Sequence, residues 1–237
     1  MNPFFAFCNT SFASTLGLFA DYERIGLENV PSSGPLLVVA NHQSNLDPPL
    51  IARSIGRRTF FLAKREAFHN PLFTLILTWW GAHRLARGEA DLQAFRWAVN
   101  KLKEPNGSIT LYPEGTRNRG GMGRALDGPA RIALLTGTTL LPVGIAGSET
   151  LGMVARVFYP KATIRVNIGK PFKVEDPGGD RRSALKTLTG EIMGRIAELL
   201  PDSYRGAHAD AANGPRAHTR DVTAVDAGHP AVEVRAE

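Results

Sequence analysis

"LLVVANHQSNLDPPL", residues 36–50, carries an aliphatic run into Asn41 and His42, then meets Asp47, Pro48 and Pro49. The aliphatic run reads as a buried strand over 36–40. His42 then stands where a sheet meets its following loop, the edge at which α/β sheets gather ligands. Proline is favoured in the first turn of a helix, so Asp47 reads as the N-cap, its carboxylate taking backbone N–H groups. A gap of five residues does not put both side chains on one face of a continuous helix. With His42 in a turn and Asp47 at the helix mouth, the loop can fold them together. The carboxylate would accept one imidazole N–H and leave the other nitrogen as a base, a base held by an orienting partner. So short a match fits a structural histidine beside a plain helix cap equally well.

Outward from this stretch, short apolar runs alternate with helical patterns. Strands are expected at 36–40, 59–63, 83–86, 108–112, 140–146 and 163–168, and helices at 48–55, 71–80, 92–103, 129–135 and 182–200. In the last helix Leu185, Leu188, Ile192, Ile196 and Leu199 share a face. Strands alternating with helices predict an α/β domain with a mostly parallel central sheet flanked by helices. The chain has no internal repeat.

The 237 residues carry a formal net charge of +6, unevenly placed. From Ser203 onward four Arg face five acids, which leaves the body with 24 bases against 17 acids. A positive body suits anionic partners such as nucleic acid, phosphorylated metabolites or an acidic membrane surface, and also fits a basic solvated surface. No nucleic-acid-binding motif accompanies the charge. One cysteine, Cys8, excludes an internal disulfide and any multi-cysteine metal site. Nothing basic precedes the first apolar stretch, so no secretory signal is read.

Residues 1–20 hold no charged side chain, and Phe5, Cys8, Phe12, Leu16 and Phe19 recur at helical spacing. Asn9, Ser11, Ser14 and Thr15 make the segment too polar for a spanning helix, while "PLFTLILTWWGA" (71–82) is too short for one. Both fit helices lying in the headgroup region or ordinary core helices. From Ser203 the periodicity stops, and Ala, Gly, Pro and charge dominate. The expected division is therefore an amphipathic membrane-associating segment (1–20), one domain (21–202) and a disordered tail (203–237).

Two more loops carry chemistry. "LYPEGTRNRGG" (111–121) runs a strand straight into Glu114, Gly115, Thr116 and Arg117. Gly115 permits close backbone approach, and Arg119 and Arg124 extend the positive character, so the loop reads as an anion site or as a surface turn. "GAHRLARG" (81–88) leads a strand to Arg87, with His83 read as a strand residue without chemistry. "LLPVGIAG" (140–147) is mainly structural by composition. There is no Gly-x-Ser-x-Gly elbow, and Cys8 has no histidine nearby in sequence. The group that is deprotonated can then be the substrate's own hydroxyl.

Taken in order, "NHQSNLD", "GAHRLAR", "YPEGTR" and "LPVGIAG" resemble the four blocks of the glycerolipid acyltransferases, the 1-acyl-sn-glycerol-3-phosphate acyltransferase group. The blocks span residues 41–147. The resemblance implies a single acyltransferase domain that moves a fatty acyl group from acyl-CoA or acyl-carrier protein to the free hydroxyl of 1-acyl-sn-glycerol 3-phosphate. His42 matches the family's base and Asp47 its partner. Arg87 matches an acceptor-binding arginine, and Glu114, Gly115, Thr116 and Arg117 match the acceptor-phosphate block. Lys64, in "FLAKREAF", falls near a lysine often seen between the first two blocks. Glu114 would orient an arginine or the acceptor's hydroxyls.

No metal or other cofactor is implied. The partners are a lysophospholipid, an acyl thioester and a membrane surface, met peripherally on the cytoplasmic face, with no nucleic acid. One departure is Ala86, where the family often has an acid before the arginine, and this bears on acceptor identity. Glycerol 3-phosphate, another lysophospholipid or alcohol, or a non-catalytic lipid-binding role stands as the alternative.

Overall fold

The computed structural model describes residues 3–85, 91–151 and 159–228. In chain order the first half contains α1 (Pro3–Phe19), β1 (Asp21–Ile25), β2 (Leu36–Ala40), α2 (Asp47–Ile55), β3 (Phe60–Lys64), α3 (Pro71–Trp80) and β4 (Ala82–Leu85). The second half contains α4 (Leu92–Leu102), β5 (Ser108–Leu111), α5 (Gly128–Thr136), β6 (Thr139–Ala146), β7 (Thr163–Ile168), β8 (Phe172–Val174), α6 (Arg181–Glu198) and β9 (Thr219–Asp221).

β2 is the strand around which the layers form. All five of its residues are buried, because helices cover both faces of the sheet. Successive side chains point to opposite faces. Leu37 and Val39 join a cluster with Ala98 of α4, Ile132 of α5 and Leu188 and Ile192 of α6. Leu36, Val38 and Ala40 join the other, with Phe12 and Leu16 of α1 and Leu50 and Ile51 of α2. One short aliphatic run thus feeds two cores.

The sheet order is β1-β7-β6-β2-β5-β3-β4, with β8 pairing β6 and β9 pairing β8. β6, β2, β5, β3 and β4 run parallel, so the ends of β2, β5, β3 and β4 open on one edge. β7 turns antiparallel to β6, and β8 and β9 are antiparallel additions. The helices start and stop where local chemistry directs. Asp91 caps α4 by accepting from Ala94 N at 2.9 Å, and Asp180 caps α6 by accepting from Ser183 N at 3.0 Å.

Three strands depart from the sequence reading. β1 alternates exposed and half-buried residues and carries Asp21, Glu23 and Arg24, so it shows no apolar run. β8 and β9 are three residues each, too short for a period to register.

β9 also corrects the tail boundary. Residues 203–228, expected to be without structure, form short 3-10 turns and a strand paired to β8. Composition misled because polar partners, not apolar periodicity, hold this segment. Arg195 of α6 is buried over the Phe172 ring and donates to Thr219 Oγ1 at 3.0 Å and Thr219 O at 2.8 Å. The buried Glu191 accepts from Thr219 Oγ1 at 2.9 Å and from His218 N at 3.1 Å. Residues 229–237 lie outside the described residues.

α1 is shared between core and surface. Phe12 and Leu16 are fully packed, while Phe7 is 69% exposed and Leu18 75%. No described helix is long and apolar enough to cross a membrane.

Candidate functional site

The loop after β2 is pinned before it reaches His42. The Asn41 side chain donates to Ile145 O and accepts from Ile145 N, both at 2.8 Å, which clamps the loop to β6. His42 follows, with His42 Nδ1 donating to Asp47 Oδ2 at 2.7 Å. The expected pair therefore forms, by the route foreseen: a turn, then a helix mouth.

The cap itself is different. Leu46, not Asp47, is the capping residue of α2, and it has no side-chain cap bond. The Asp47 carboxylate turns back over the loop instead. Its Oδ2 accepts from Gln43 N at 2.7 Å and Ser44 N at 2.8 Å as well as from His42. Its Oδ1 accepts from Ser148 Oγ at 2.6 Å. Asp47 is fully buried, and a buried carboxylate needs such donors to offset the loss of water. The four donors also fix its orientation, and through it the imidazole ring.

The ring is held from a second side. Tyr112, at the end of β5, stacks on His42 with centroids 4.0 Å apart and planes 20° off parallel. Burial, and then the charge of Asp47, push the Tyr112 phenol well above its ordinary range, so it stays neutral beside the pair. His42 Nε2 takes no hydrogen bond from the described residues, and the side chain is 14% exposed. The nitrogen free to act as a base is therefore Nε2.

The Glu114 loop supports the same histidine through its backbone. Glu114 is buried; its Oε1 accepts from His42 N at 2.9 Å and its Oε2 from Gly123 N at 2.7 Å and from Asn118 Nδ2. Asn118 N donates to His42 O at 2.8 Å, so the two loops are laced together. The expectation for Glu114 is that it orients an arginine or the acceptor's hydroxyls. Among the described residues its oxygens meet His42 N, Asn118 Nδ2 and Gly123 N and no arginine, so here it braces the backbone of His42. Gly115 sits at φ 63, and a Cβ there would lie 2.7 Å from Leu126 Cδ1. A glycine is what lets this loop close.

Arg117 is exposed and donates from Nη1 to Asn45 Oδ1 at 2.9 Å, at the rim of the His42 loop. Thr116 is exposed beside it. Lys64 ends β3 on the same edge of the sheet, exposed, two strands from β2. Arg87 lies outside the described residues. His83 stacks on Trp97 of α4 at 4.2 Å, and burial lowers its pKa, which keeps the ring neutral.

The reading by residue type missed Ser148, Asn118, Gln43 and Tyr112. None has a spacing signal; Ser148 follows "LLPVGIAG" immediately, and only the pairing of β6 with β2 brings it to Asp47.

The arrangement can remove a proton from a hydroxyl brought to Nε2 and stabilise the resulting imidazolium. Comparison with known proteins bears on the family. The family model described as Acyltransferase matches residues 22–146. The chain is 31% identical to the 1-acyl-sn-glycerol-3-phosphate acyltransferase of Haemophilus influenzae, over 72% of each chain. It is 28% identical to the protein of that name from Borreliella burgdorferi, over 60% of this chain and 58% of the relative. The chain thus spans less than two-thirds of that relative's length. The crystal structure of the 1-acyl-sn-glycerophosphate (LPA) acyltransferase from Thermotoga maritima matches with TM-score 0.62 and 25% identity, over 78% of this chain and 74% of that one.

Proposed function

Because this chain belongs to the acyltransferase family, we propose that it moves a fatty acyl group from acyl-CoA or acyl-carrier protein to the free hydroxyl of 1-acyl-sn-glycerol 3-phosphate, making phosphatidic acid for phospholipid synthesis. The observation that carries this reading is the His42–Asp47 pair, with Nδ1 engaged and Nε2 free. As the acceptor oxygen bonds to the thioester carbonyl carbon, its proton passes to Nε2. The imidazolium is stabilised by the fixed Asp47 carboxylate. When the tetrahedral adduct collapses, the C–S bond breaks and the imidazolium returns its proton to the leaving thiolate. No enzyme nucleophile enters, so each turnover is a direct transfer.

Arg117 and Arg87 are assigned to the acceptor phosphate, with Lys64 and Thr116 at the same edge of the sheet. Exposed apolar residues support peripheral attachment to a membrane: Phe7, Leu18 and Phe19 of α1, Leu75 of α3, and Tyr159, which packs on Phe19 at 4.7 Å. An amphipathic surface of this kind lies in the headgroup region, where the lysophospholipid acceptor is held.

The test is kcat/KM by mass detection of product, with phosphate-bearing and neutral acceptors. One charge-assisted hydrogen bond contributes about 1.5–3 kcal/mol, so Arg117→Ala and Arg87→Ala should each lose roughly tenfold to a hundredfold with 1-acyl-sn-glycerol 3-phosphate. The loss should be much smaller with a monoacylglycerol, which has no phosphate to pair. His42→Ala should cost at least ~10²-fold with both acceptors. Equal losses for charged and neutral acceptors in the arginine variants would remove the phosphate assignment, and near-normal turnover by folded His42→Ala would remove the mechanism.

A further inference from the structure

Residues 204–208 follow α6 and press on the catalytic loops at two separate points. At the first, Met122 N donates to Tyr204 O at 2.9 Å, and Ala207 N donates to Met122 O at 3.0 Å. His208 Nε2 donates to Gly123 O at 2.9 Å. The approach is close enough that a Cβ on Gly206, at φ 49, would meet Met122 O at 2.3 Å. Gly123 N is itself a donor to Glu114 Oε2, and Glu114 Oε1 holds His42 N.

At the second point, Tyr204 Oη donates to Glu149 Oε1 at 2.7 Å. The Gln43 amide, oriented by its neighbours, turns its nitrogen to Glu149 Oε2 at 3.0 Å and to Ile145 O at 3.3 Å. Gln43 N and Ser148 Oγ both donate to Asp47, and Ser148 is the chain neighbour of Glu149. Burial, with the bond to Glu149, raises the Tyr204 pKa, so the phenol remains a donor. The segment is anchored elsewhere: Arg205 Nε donates to Ala197 O and Leu200 O, both at 3.0 Å, at the end of α6.

We propose that Tyr204 and His208 are positioning residues for the His42–Asp47 pair, one holding the Glu149 turn beside Asp47 and the other the 121–123 turn behind Glu114. Neither touches a reacting atom. Each stabilises a turn whose own donor or acceptor holds the pair. The inference rests on the reading of that pair as the catalytic base and its partner.

The experiment uses the full chain with Tyr204→Phe, His208→Ala, His208→Gln and Arg216→Ala. Arg216 belongs to the same C-terminal segment and bonds Ala212 O and Glu198, but reaches neither catalytic loop. The readouts are kcat and donor KM with acyl-CoA and 1-acyl-sn-glycerol 3-phosphate, Tm, and the proton resonance of His42 Nδ1–H. Displacement of a base by a fraction of an ångström should lower kcat about tenfold in Tyr204→Phe and His208→Ala, without a matching change in donor KM. The Nδ1–H resonance should shift or broaden in both. His208→Gln, whose amide can still donate to Gly123 O, should recover both readouts, and Arg216→Ala should leave both unchanged.

An unchanged resonance in Tyr204→Phe and His208→Ala would overturn the proposal whatever the activity. An equal kcat loss in Arg216→Ala would overturn it too, by exposing a general effect of the segment. If the wild-type chain turns over no acyl thioester, the proposed function falls, and the resonance alone decides this point.

Discussion

Asp47 gathers four donors on two oxygens, and that count determines what a substitution there does. In Asp47→Asn the amide oxygen can still accept the three N–H groups while its nitrogen faces Ser148 Oγ, which can accept. The loop should keep its shape and Tm should stay close to wild type. Without the negative charge the imidazolium loses its stabilising partner, so turnover should fall ~10²-fold or more. Asp47→Ala should lose stability as well, since each stranded buried donor costs about 1–3 kcal/mol. Tm and kcat measured on both variants check this, and a destabilised Asp47→Asn would show that the charge also holds the loop. His42 and Asp47 were legible in the sequence because proline, polarity and spacing mark a turn and a helix start. Ser148 was not, because it lies 101 residues from Asp47 in the chain and arrives only through strand pairing.

At the scale of elements, α1 shows how one helix serves two environments. Phe12 and Leu16 belong to the core beneath the sheet, whereas Phe7 and Leu18 face out. Removal of the first twenty residues would therefore disturb packing and attachment together, and point changes separate the two. Phe7→Glu with Leu18→Glu and Leu75→Glu should leave Tm nearly unchanged, because all three are exposed. Burial of a large apolar side chain contributes about 1.5–3 kcal/mol, so vesicle affinity should drop tenfold or more on their loss. Leu16→Ala should do the reverse, costing about 2–5 kcal/mol of stability with little direct effect on attachment. A sedimentation assay with acidic vesicles and thermal melts decides between them. Unchanged vesicle binding in the triple variant would assign this surface elsewhere. The buried strands were readable as apolar runs, but β1 was not, because an edge strand half open to water keeps its charges.

For the whole molecule, the C-terminal segment is part of the fold. A chain ending at Asn213 would keep residues 204–208 and lose β9, which leaves Arg195 and Glu191 buried without Thr219, His218 and Asp221. Breaking such a buried network costs about 3–5 kcal/mol. For a protein of this length that corresponds to a Tm lower by roughly 10 °C. A truncated chain that melts with the full-length protein would show that β9 adds nothing to stability.

Sequence alone determined the alternating α/β order, the parallel core strands and the placing of His42 and Glu114 at strand ends. Those features are local: a strand or helix writes its period and its punctuation into consecutive residues. Tertiary structure alone decided that Asp47 faces its loop rather than its helix, and that Glu114 braces the histidine backbone. It also decided that a tail of polar composition closes over α6 and the turns beside Glu114 and Asp47. Glu114's hold on His42 and the closing of the tail depend on partners far apart in the chain, whereas Asp47 takes three donors within five residues and only Ser148 through strand pairing. A carboxylate's choice among such donors leaves no pattern in the residues beside it.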